Sequence, residues 1–276
     1  MPEISVVMGV YNTCDKESLE KSINSVLNQT FCDFEFIICD DCSDKDYIKK
    51  ILRDMSERDG RIKITANEKN MGLAASLNRC IELSDKNSKY IFRHDDDDFS
   101  EPDRFRKQYD FLENNPDISI VGSNIALYGA NGKWGNRKFP EKPAKKDFLF
   151  SVPFQHGAIA FKKADLVKSG CYLSVKETRR TEDYELLMRM YSLGYAGYNI
   201  QEELYNFRED INSHKRRKYR YKIDEAKIRY RGFKKLKILG RGLPYIIKPL
   251  IVGLIPYRLL NFMKDKYYGR RKRKNT

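Results

Sequence analysis

Four consecutive carboxylates, residues 95–98, have the types and spacing that point most directly to chemistry. Neighbouring carboxylates repel one another, and such a run becomes tolerable where a divalent cation and a diphosphate lie among them. Residues 89–92 before it have the pattern of the end of a buried strand. Residues 100–103 after it predict a helix start with Ser100 as N-cap. The run would therefore lie at the carboxyl end of a strand, where open α/β sheets bind ligands. A solvated acidic loop is the alternative.

Two further acidic pairs occur at comparable places. Asp40 and Asp41 end a second predicted strand, and Glu182 and Asp183 begin a predicted helix. In a doubly wound sheet these three groups would lie together. The first can accept hydrogen bonds from a base or ribose, the second can hold a hard cation that bridges phosphates, and the third can supply a general base. Together they suit attack on a sugar–nucleotide bond, in which a metal neutralises the departing diphosphate.

The elements that must position these groups alternate along the chain. Runs of β-branched residues and helical periodicity predict repeated βα units, and these imply an α/β fold with a mainly parallel sheet and helices on both faces. Residues 129–155, rich in Gly, Asn, Lys and Pro, predict a loop or a lid-bearing insertion. We predict strands at 4–10, 34–39, 62–65, 90–93, 118–123 and 157–161, and helices at 18–27, 47–55, 73–83, 101–114, 181–193 and 215–239.

The charge of the chain is unevenly distributed. Of its 276 residues, 53 are Lys or Arg and 39 are Asp or Glu. Residues 208–276 carry 23 of these cations and only 5 of the acids, so the remainder is slightly acidic. We predict a catalytic domain at 1–214 and a basic, partly helical region at 215–276 that favours an anionic partner.

Residues 243–263 form the most apolar segment, but Lys248, Arg258 and three prolines interrupt it. It falls short of the ~20 uncharged residues that a membrane span requires. An amphipathic element in the plane of an anionic membrane surface fits better, with the basic run 270–274 on lipid phosphates. The alternative is a C-terminal helix that packs on the catalytic domain.

The cellular location follows from the N-terminus and the cysteines. Residues 1–5 lead into a strand without a basic region before it, so we expect no secretory signal. The six cysteines lack the spacing of a disulfide framework and are expected to be reduced. A redox or zinc site at Cys39 and Cys42 has little support, because no second such pair and no nearby His accompanies them. We expect a cytoplasmic protein, peripheral at the inner face of the cell membrane.

Several segments together resemble the family 2 glycosyltransferases, which are inverting enzymes with the GT-A fold. The resemblance covers residues 3–215 and implies a Rossmann-like catalytic domain. The segments that carry it are 4–12, 25–30, 33–44, 70–78, the run 95–98 with Pro102 and Arg104, and 181–186.

The resemblance also implies roles for individual residues. Asp41 would read the uracil edge of a UDP-sugar donor, with Val10 and Asn12 in the same nucleotide pocket. Asp95 and Asp96 would lie beside the ribose and diphosphate.

The remaining implied roles concern the metal and the transfer step. Asp97 would be the direct ligand of Mn²⁺ or Mg²⁺. Asp183 would be the catalytic base, with Glu182 as its neighbour, although acidic residues in a first helical turn also complement the helix dipole. Contacts with the acceptor or diphosphate are assigned to His156, Arg208 and His214.

Similar proteins act on lipid-linked acceptors at the inner face of bacterial membranes, so the resemblance implies a polyprenyl-diphosphate-linked or oligosaccharide acceptor in surface-polysaccharide synthesis. Two other classes remain open. A nucleotidyltransferase shares the sheet and the acidic metal site, but residues 9–12 do not supply its glycine- and arginine-rich phosphate loop. A nucleic-acid-binding protein would use the basic tail, but no matching motif is present and the acidic body opposes it. We therefore expect no nucleic-acid partner.

Overall fold

The computed structural model describes residues 1–13, 15–129, 132–209 and 219–254. Within these ranges the strands are β1 Ile4–Val10, β2 Phe34–Asp40, β3 Ile62–Ala66, β4 Tyr90–Arg93, β5 Phe99–Ser100, β6 Ile118–Gly129, β7 Gly132–Arg137, β8 Ala160–Lys162 and β9 Ala196–Arg208. The α-helices are α1 Lys16–Leu27, α2 Asp46–Arg58, α3 Leu73–Glu82, α4 Arg104–Asn114, α5 Lys163–Lys168, α6 Glu182–Ser192, α7 Tyr219–Lys235 and α8 Leu239–Leu254.

All nine of these strands form one mixed sheet. Its order is β3-β2-β1-β4-β8-β6-β9-β5, and β7 pairs with β6. The pairs among β1, β2, β3 and β4 are parallel, as is the pair of β6 with β9. Strand β8 runs antiparallel to both β4 and β6 and so joins the two parallel parts. The predicted α/β class with a mainly parallel sheet is confirmed.

The central strands are buried on both faces because their side chains alternate between two apolar layers. Val6 and Met8 of β1 pack with α1, α2 and α4, whereas Val7 packs with α3 and α6. Helix α1 begins where the Asp15 carboxylate accepts a 2.8 Å hydrogen bond from the backbone N–H of Ser18. These layers fix the carboxyl ends of β1, β2 and β4 at one edge.

Two predictions for local structure were wrong. Residues 132–137 form a strand that pairs with β6, so the segment predicted as a loop begins with a hairpin. Ser100 is not a helix N-cap: it pairs with Tyr205 of β9, and its N–H donates to Ser25 Oγ. Helix α4 therefore starts only at Arg104. Strand β9 was not predicted, because its mixed polar pattern lacks a clear period.

Helices α7 and α8 pack on the same core as the rest of the protein. Ile228, Phe233 and Leu236 join the apolar layer of α3 and α6, and Gly232 lies so close to Met188 of α6 that a Cβ there would be 2.3 Å from its sulfur. The division of the chain at 214/215 stays a prediction. Within the described ranges, the structure contains no helix that is long and apolar enough to cross a membrane.

Candidate active site

A cavity of about 460 Å³ opens at the carboxyl ends of β1, β2 and β4. The acidic groups from three separate segments meet here, since Asp41, Asp95, Asp96 and Glu182 all line it. Residues at the start of α3 and in the loop 174–180 also line it. The predicted convergence of the three acidic clusters therefore occurs in the structure. We call this space the donor cavity.

Asp41 is nearly buried and is held by three N–H groups. Its Oδ1 accepts hydrogen bonds from the Asn67 amide and the Met71 backbone, and its Oδ2 accepts one from the Gly72 backbone, each at 2.8 Å. Gly72 has φ +89°, a conformation that favours glycine. The carboxylate thus fixes the entry to α3 while it faces the cavity.

The two other predicted nucleotide contacts differ in position. Val10 lines the donor cavity. Asn12 does not appear in its wall. The Asn12 side chain instead exchanges two hydrogen bonds with Asp44, at 3.0 and 3.2 Å, and its backbone has φ +48°.

Asp95 forms an ion pair with a buried arginine that the sequence analysis missed. Nη2 of Arg93 lies 2.6 Å from Oδ1 of Asp95. The Asp95 N–H donates to the Tyr205 hydroxyl at 3.1 Å. Gly157 makes this packing possible, because a Cβ there would lie 2.3 Å from the Tyr205 hydroxyl and 2.4 Å from Oδ2 of Asp95.

The next two carboxylates resist ionisation. Burial raises the pKa of Asp96 to about 6, with the Asp95 charge adding to the rise and a hydrogen bond from Thr13 opposing it. Burial also raises the pKa of Asp97 to about 7, and repulsion from Asp96 and Asp95 adds to it. Crowded charge of this kind is relieved by a cation.

Asp97 faces a second, smaller cavity beside the first. It shares that wall with Arg208, Lys21 and Phe99. Arg208 forms an ion pair with Asp15 at 2.7 Å, and its backbone N–H donates to Oδ1 of Asp98 at 2.7 Å. The end of β9 is thus attached to the acidic turn. His214 lies outside the described residues.

The acidic turn, residues 95–98, offers carboxylate oxygens that suit a hard divalent cation. Carboxylate oxygens are the ligands that Mg²⁺ and Mn²⁺ prefer, and Mg²⁺ in particular is held by one or two carboxylates together with substrate phosphates and water. Within the described parts of the chain, no group of three His, Cys, Asp or Glu side chains could hold a metal alone. The residues therefore fit a cation that the diphosphate helps to bind.

Glu182 and Asp183 begin α6, as predicted. Burial raises the pKa of Glu182, which lines the donor cavity. Burial raises the pKa of Asp183 to about 7, and the charge of Glu182 adds to the rise. Oδ1 of Asp183 accepts a 2.8 Å hydrogen bond from the backbone N–H of Tyr184. A carboxyl group with a pKa near neutrality can accept a proton at physiological pH.

His156 lies outside the walls of both cavities. Its Nε2 is 2.8 Å from the hydroxyl of Tyr172. Burial lowers its pKa well below the usual value, and the nearby Arg93 charge adds to this effect. His156 is therefore neutral at pH 7 and supports Tyr172, rather than presenting a charge to either cavity.

Several wall residues were missed by the sequence analysis. Arg179 and Arg180 directly precede the Glu182 motif, and that proximity was an available signal. Arg180 has φ +74°, an uncommon conformation for a residue with a side chain. Tyr221 of α7 also lines the donor cavity, and no local pattern reveals this.

Comparisons with known proteins agree with this geometry. Residues 5–170 match the model of glycosyl transferase family 2. A relative from Bacillus subtilis, described as the glycosyltransferase EpsE, is 38% identical over 260 residues, which cover 94% of this chain and 92% of the relative. The UDP-Gal:alpha-D-GlcNAc-diphosphoundecaprenol beta-1,3-galactosyltransferase of Escherichia coli is 28% identical over 276 residues, 98% of each chain.

A solved structure shows the same fold. The mannosyltransferase PcManGT from Pyrobaculum calidifontis, in complex with GDP-Man and Mn²⁺, superposes with a TM-score of 0.63. The match covers 97% of this chain and 80% of the other, at 14% identity. The GT-A fold implied by the sequence is thereby confirmed.

Proposed function

Because this chain belongs to glycosyl transferase family 2 and is a glycosyltransferase, we propose that it transfers a sugar from a UDP-sugar to an acceptor hydroxyl with inversion. The observation that carries the proposal is the donor cavity, which gathers Asp41, Asp95, Asp96 and Glu182 from separate segments. Family membership favours this reaction over the nucleotidyltransferase and nucleic-acid-binding alternatives.

The polar side chains of the donor cavity suit a nucleotide ligand. Asp41 would accept the N3–H of uracil, since a carboxylate oxygen has more than one acceptor site. Val10 would pack on the base. Asp95 would accept a hydrogen bond from the ribose, and Arg179 and Arg180 would attract the diphosphate. The use of UDP agrees with the donor named for the Escherichia coli relative.

A divalent cation would be held by Asp97, with Asp95 and Asp96 adding negative charge around it. When bound, Mn²⁺ or Mg²⁺ supplies neutralisation of the departing diphosphate. Mn²⁺ is present with the donor in the solved mannosyltransferase. The raised pKa values of Asp96 and Asp97 support a cation in this position.

Asp183 would take the proton of the acceptor hydroxyl. The hydroxyl attacks the anomeric carbon from the side opposite the nucleotide, so one displacement inverts the configuration and no sugar–enzyme bond forms. Burial of the Asp183 carboxyl group raises its pKa to about 7, which matches a general base at physiological pH. The charge of Glu182 contributes to this rise, and Glu182 would contact the donor sugar.

A donor panel tests the reaction. We expect UDP-sugars to raise the melting temperature more than GDP, dTDP or CMP sugars, and to do so only when Mn²⁺ is present. Differential scanning fluorimetry measures the shifts. Equal stabilisation by GDP-sugars would contradict the uracil assignment of Asp41, and equal stabilisation without metal would contradict the cation site.

The acceptor is proposed to be lipid-linked or an oligosaccharide in surface-polysaccharide synthesis. The Escherichia coli relative acts on a diphosphoundecaprenol acceptor. Helix α8 supports such a partner, since Leu243, Ile247 and Ile251 form an exposed apolar stripe at intervals of four residues. Exposed Arg241 and Lys248 lie on the same helix. The basic residues of 255–276 follow directly in the sequence. The enzyme would thus be peripheral at the inner face of the membrane.

Membrane contact is tested by substitutions on α8. Ile247→Glu and Ile251→Glu are expected to lower binding to anionic liposomes, because each places a charge in the apolar boundary. A chain ending at Leu254 is expected to lose salt-sensitive binding, since each cation near the surface contributes about 1 kcal/mol before screening. Liposome co-sedimentation measures both.

The matched control is Val167→Glu, which changes an equally exposed apolar residue on α5. It should leave liposome binding unchanged. Binding by the α8 variants and the shortened chain at the level of the full protein would contradict the membrane assignment.

A further inference from the structure

Tyr221, in the first turn of α7, brings the basic C-terminal region into the wall of the donor cavity. Within the described ranges, the other residues of this wall belong to the segment 9–182. Tyr221 is half-buried. An aromatic ring that is partly exposed in a cavity wall can pack against a ligand, and its hydroxyl group can donate or accept a hydrogen bond.

Contacts with the catalytic domain hold α7 in place. Gly232 packs against the side chain of Met188 on α6. The buried guanidinium of Arg229 lies 5.0 Å from the centre of the Tyr184 ring and donates a 3.0 Å hydrogen bond to the backbone carbonyl of Leu149. Because these contacts fix the axis of α7, they also fix the place at which Tyr221 reaches the cavity.

The order of these contacts places Tyr221 beside the start of α6. Tyr184 precedes Met188 by one turn on α6, and their partners on α7 follow in the same order, so the two helices run in the same direction. Tyr221 precedes Gly232 by about three turns and therefore lies on the same face of α7. It extends towards the first residue of α6, Glu182, which lines the same cavity.

The two ends of the donor cavity offer different groups to a UDP-sugar. Asp41 and the start of α3 form the end that is assigned to uracil. Glu182 forms the end at α6, where the base Asp183 follows it and where the transferred sugar must lie. Tyr221 enters the cavity on this second side. A hexose presents hydroxyl groups beside C–H groups, and a tyrosine presents an apolar ring with a polar tip, so the two surfaces are complementary.

We propose that Tyr221 contacts the transferred sugar, and that α7 thereby completes the donor site from the C-terminal region. The presence of a sugar at this end of the cavity rests on the proposed function. The position of Tyr221 in the cavity wall rests on the structure alone. A donor site of this kind needs residues from both sides of the predicted division at 214/215.

Isothermal titration calorimetry with the full-length protein and Mn²⁺ separates sugar contacts from nucleotide contacts. The ligands are UDP and whichever of UDP-galactose, UDP-glucose and UDP-N-acetylglucosamine binds the wild type most tightly. In Tyr221→Ala we expect an unchanged Kd for UDP and a Kd for the UDP-sugar that is raised about fivefold or more, because a hydrogen bond and the packing of the ring are lost together. Tyr221→Phe loses only the hydroxyl group, so we expect a rise of about twofold. This second variant keeps the test decisive if Tyr221→Ala disturbs the start of α7.

Tyr230→Ala is the matched control. Tyr230 belongs to the same helix and is 47% exposed. It follows Tyr221 by about two and a half turns and therefore lies on the opposite face of α7. This variant removes the same side chain from the same helix and should leave the Kd values for UDP and the UDP-sugar unchanged.

Equal losses of affinity for UDP and the UDP-sugar in Tyr221→Ala would assign this residue to the nucleotide and overturn the inference. Unchanged donor affinity in both Tyr221 variants, with or without slower transfer, would also overturn it, as would an equal loss in Tyr230→Ala. The proposed function fails by a different result, namely binding of GDP-mannose and not of UDP-sugars to the wild type. The comparison of GDP with GDP-mannose then tests the role of Tyr221 in the same way.

Discussion

Replacement of Asp183 by asparagine is expected to reduce sugar transfer by about 100-fold or more, the usual range for loss of a general base. The amide oxygen can still accept the 2.8 Å hydrogen bond from Tyr184 that the carboxylate accepts now, so the start of α6 should be preserved. Nucleotide affinity should change little. The amide cannot take the proton of the acceptor hydroxyl, and the rate of transfer falls for that reason.

The pH dependence of the wild-type enzyme provides a second measurement of the same role. Burial raises the pKa of Asp183 to about 7, so most of the base is protonated and inactive below that pH. We expect kcat/KM to rise about tenfold per pH unit below pH ~7 and to level off above it.

Glu185→Gln is the matched control for Asp183→Asn. Glu185 belongs to the same first turn of α6, but its carboxylate is paired with Arg189 of the same helix at 2.9 Å. This variant removes the same charge from the same helix end and should retain transfer. Substantial activity in Asp183→Asn, or a product that retains the anomeric configuration of the donor, would refute the assignment.

Asp97→Ala is expected to abolish metal-dependent binding of UDP while the fold is kept. The carboxylate is assigned as the ligand of the cation that bridges the diphosphate. Isothermal titration calorimetry with UDP, in the presence and absence of Mn²⁺, measures the coupling. Asp103→Ala, which removes a partly exposed acid at the start of α4, should leave the coupling intact.

In the metal-free protein, Asp97→Ala should increase the stability of the fold, although the same substitution abolishes metal-dependent binding of UDP. The folded protein raises the pKa of Asp97 from 3.8 to about 7, so ionisation of this group destabilises the fold. The penalty is absent below pH 3.8, grows as the pH rises towards about 7, and is constant above that value. At pH 8 without metal, Asp97→Ala should therefore melt at a higher temperature than the wild type.

These two readouts separate loss of the metal site from loss of the fold. If the coupling between Mn²⁺ and UDP binding survives in Asp97→Ala and disappears in Asp96→Ala, the cation would be reassigned to Asp96, which lines the donor cavity. Transferase activity at the wild-type level in Asp97→Ala with metal present would also contradict the assignment.

Local patterns in the sequence were sufficient for the catalytic half of the sheet. The apolar run of β1 predicts a strand, because a strand buried on both faces must be continuously apolar. The helical periodicity of apolar residues predicts α1 and α3. The acidic residues that follow β2 and β4 could be assigned to one edge of the sheet, because the carboxyl ends of parallel strands lie at the same edge.

Two local structures that were not predicted, strand β9 and the strand pairing of Ser100, depend on pairing between segments that are distant in the sequence. The polar pattern of β9 is compatible with a strand only because β6 and β5 lie on either side of it. Ser100 looked like a helix cap, but its pairing with Tyr205 extends the sheet instead. In both cases contacts between distant segments outweigh local preference.

The sequence by itself determined the family, the fold class and which acidic groups converge. Only the tertiary structure decided the electrostatic state of those groups, because burial and neighbouring charge from distant segments set it. The ion pair of Arg93 with Asp95, the pKa of Asp183 near 7 and the contribution of Tyr221 from α7 to the donor cavity are all of this kind. A sequence motif identifies the side chains that are present, whereas the folded structure determines the groups that surround them.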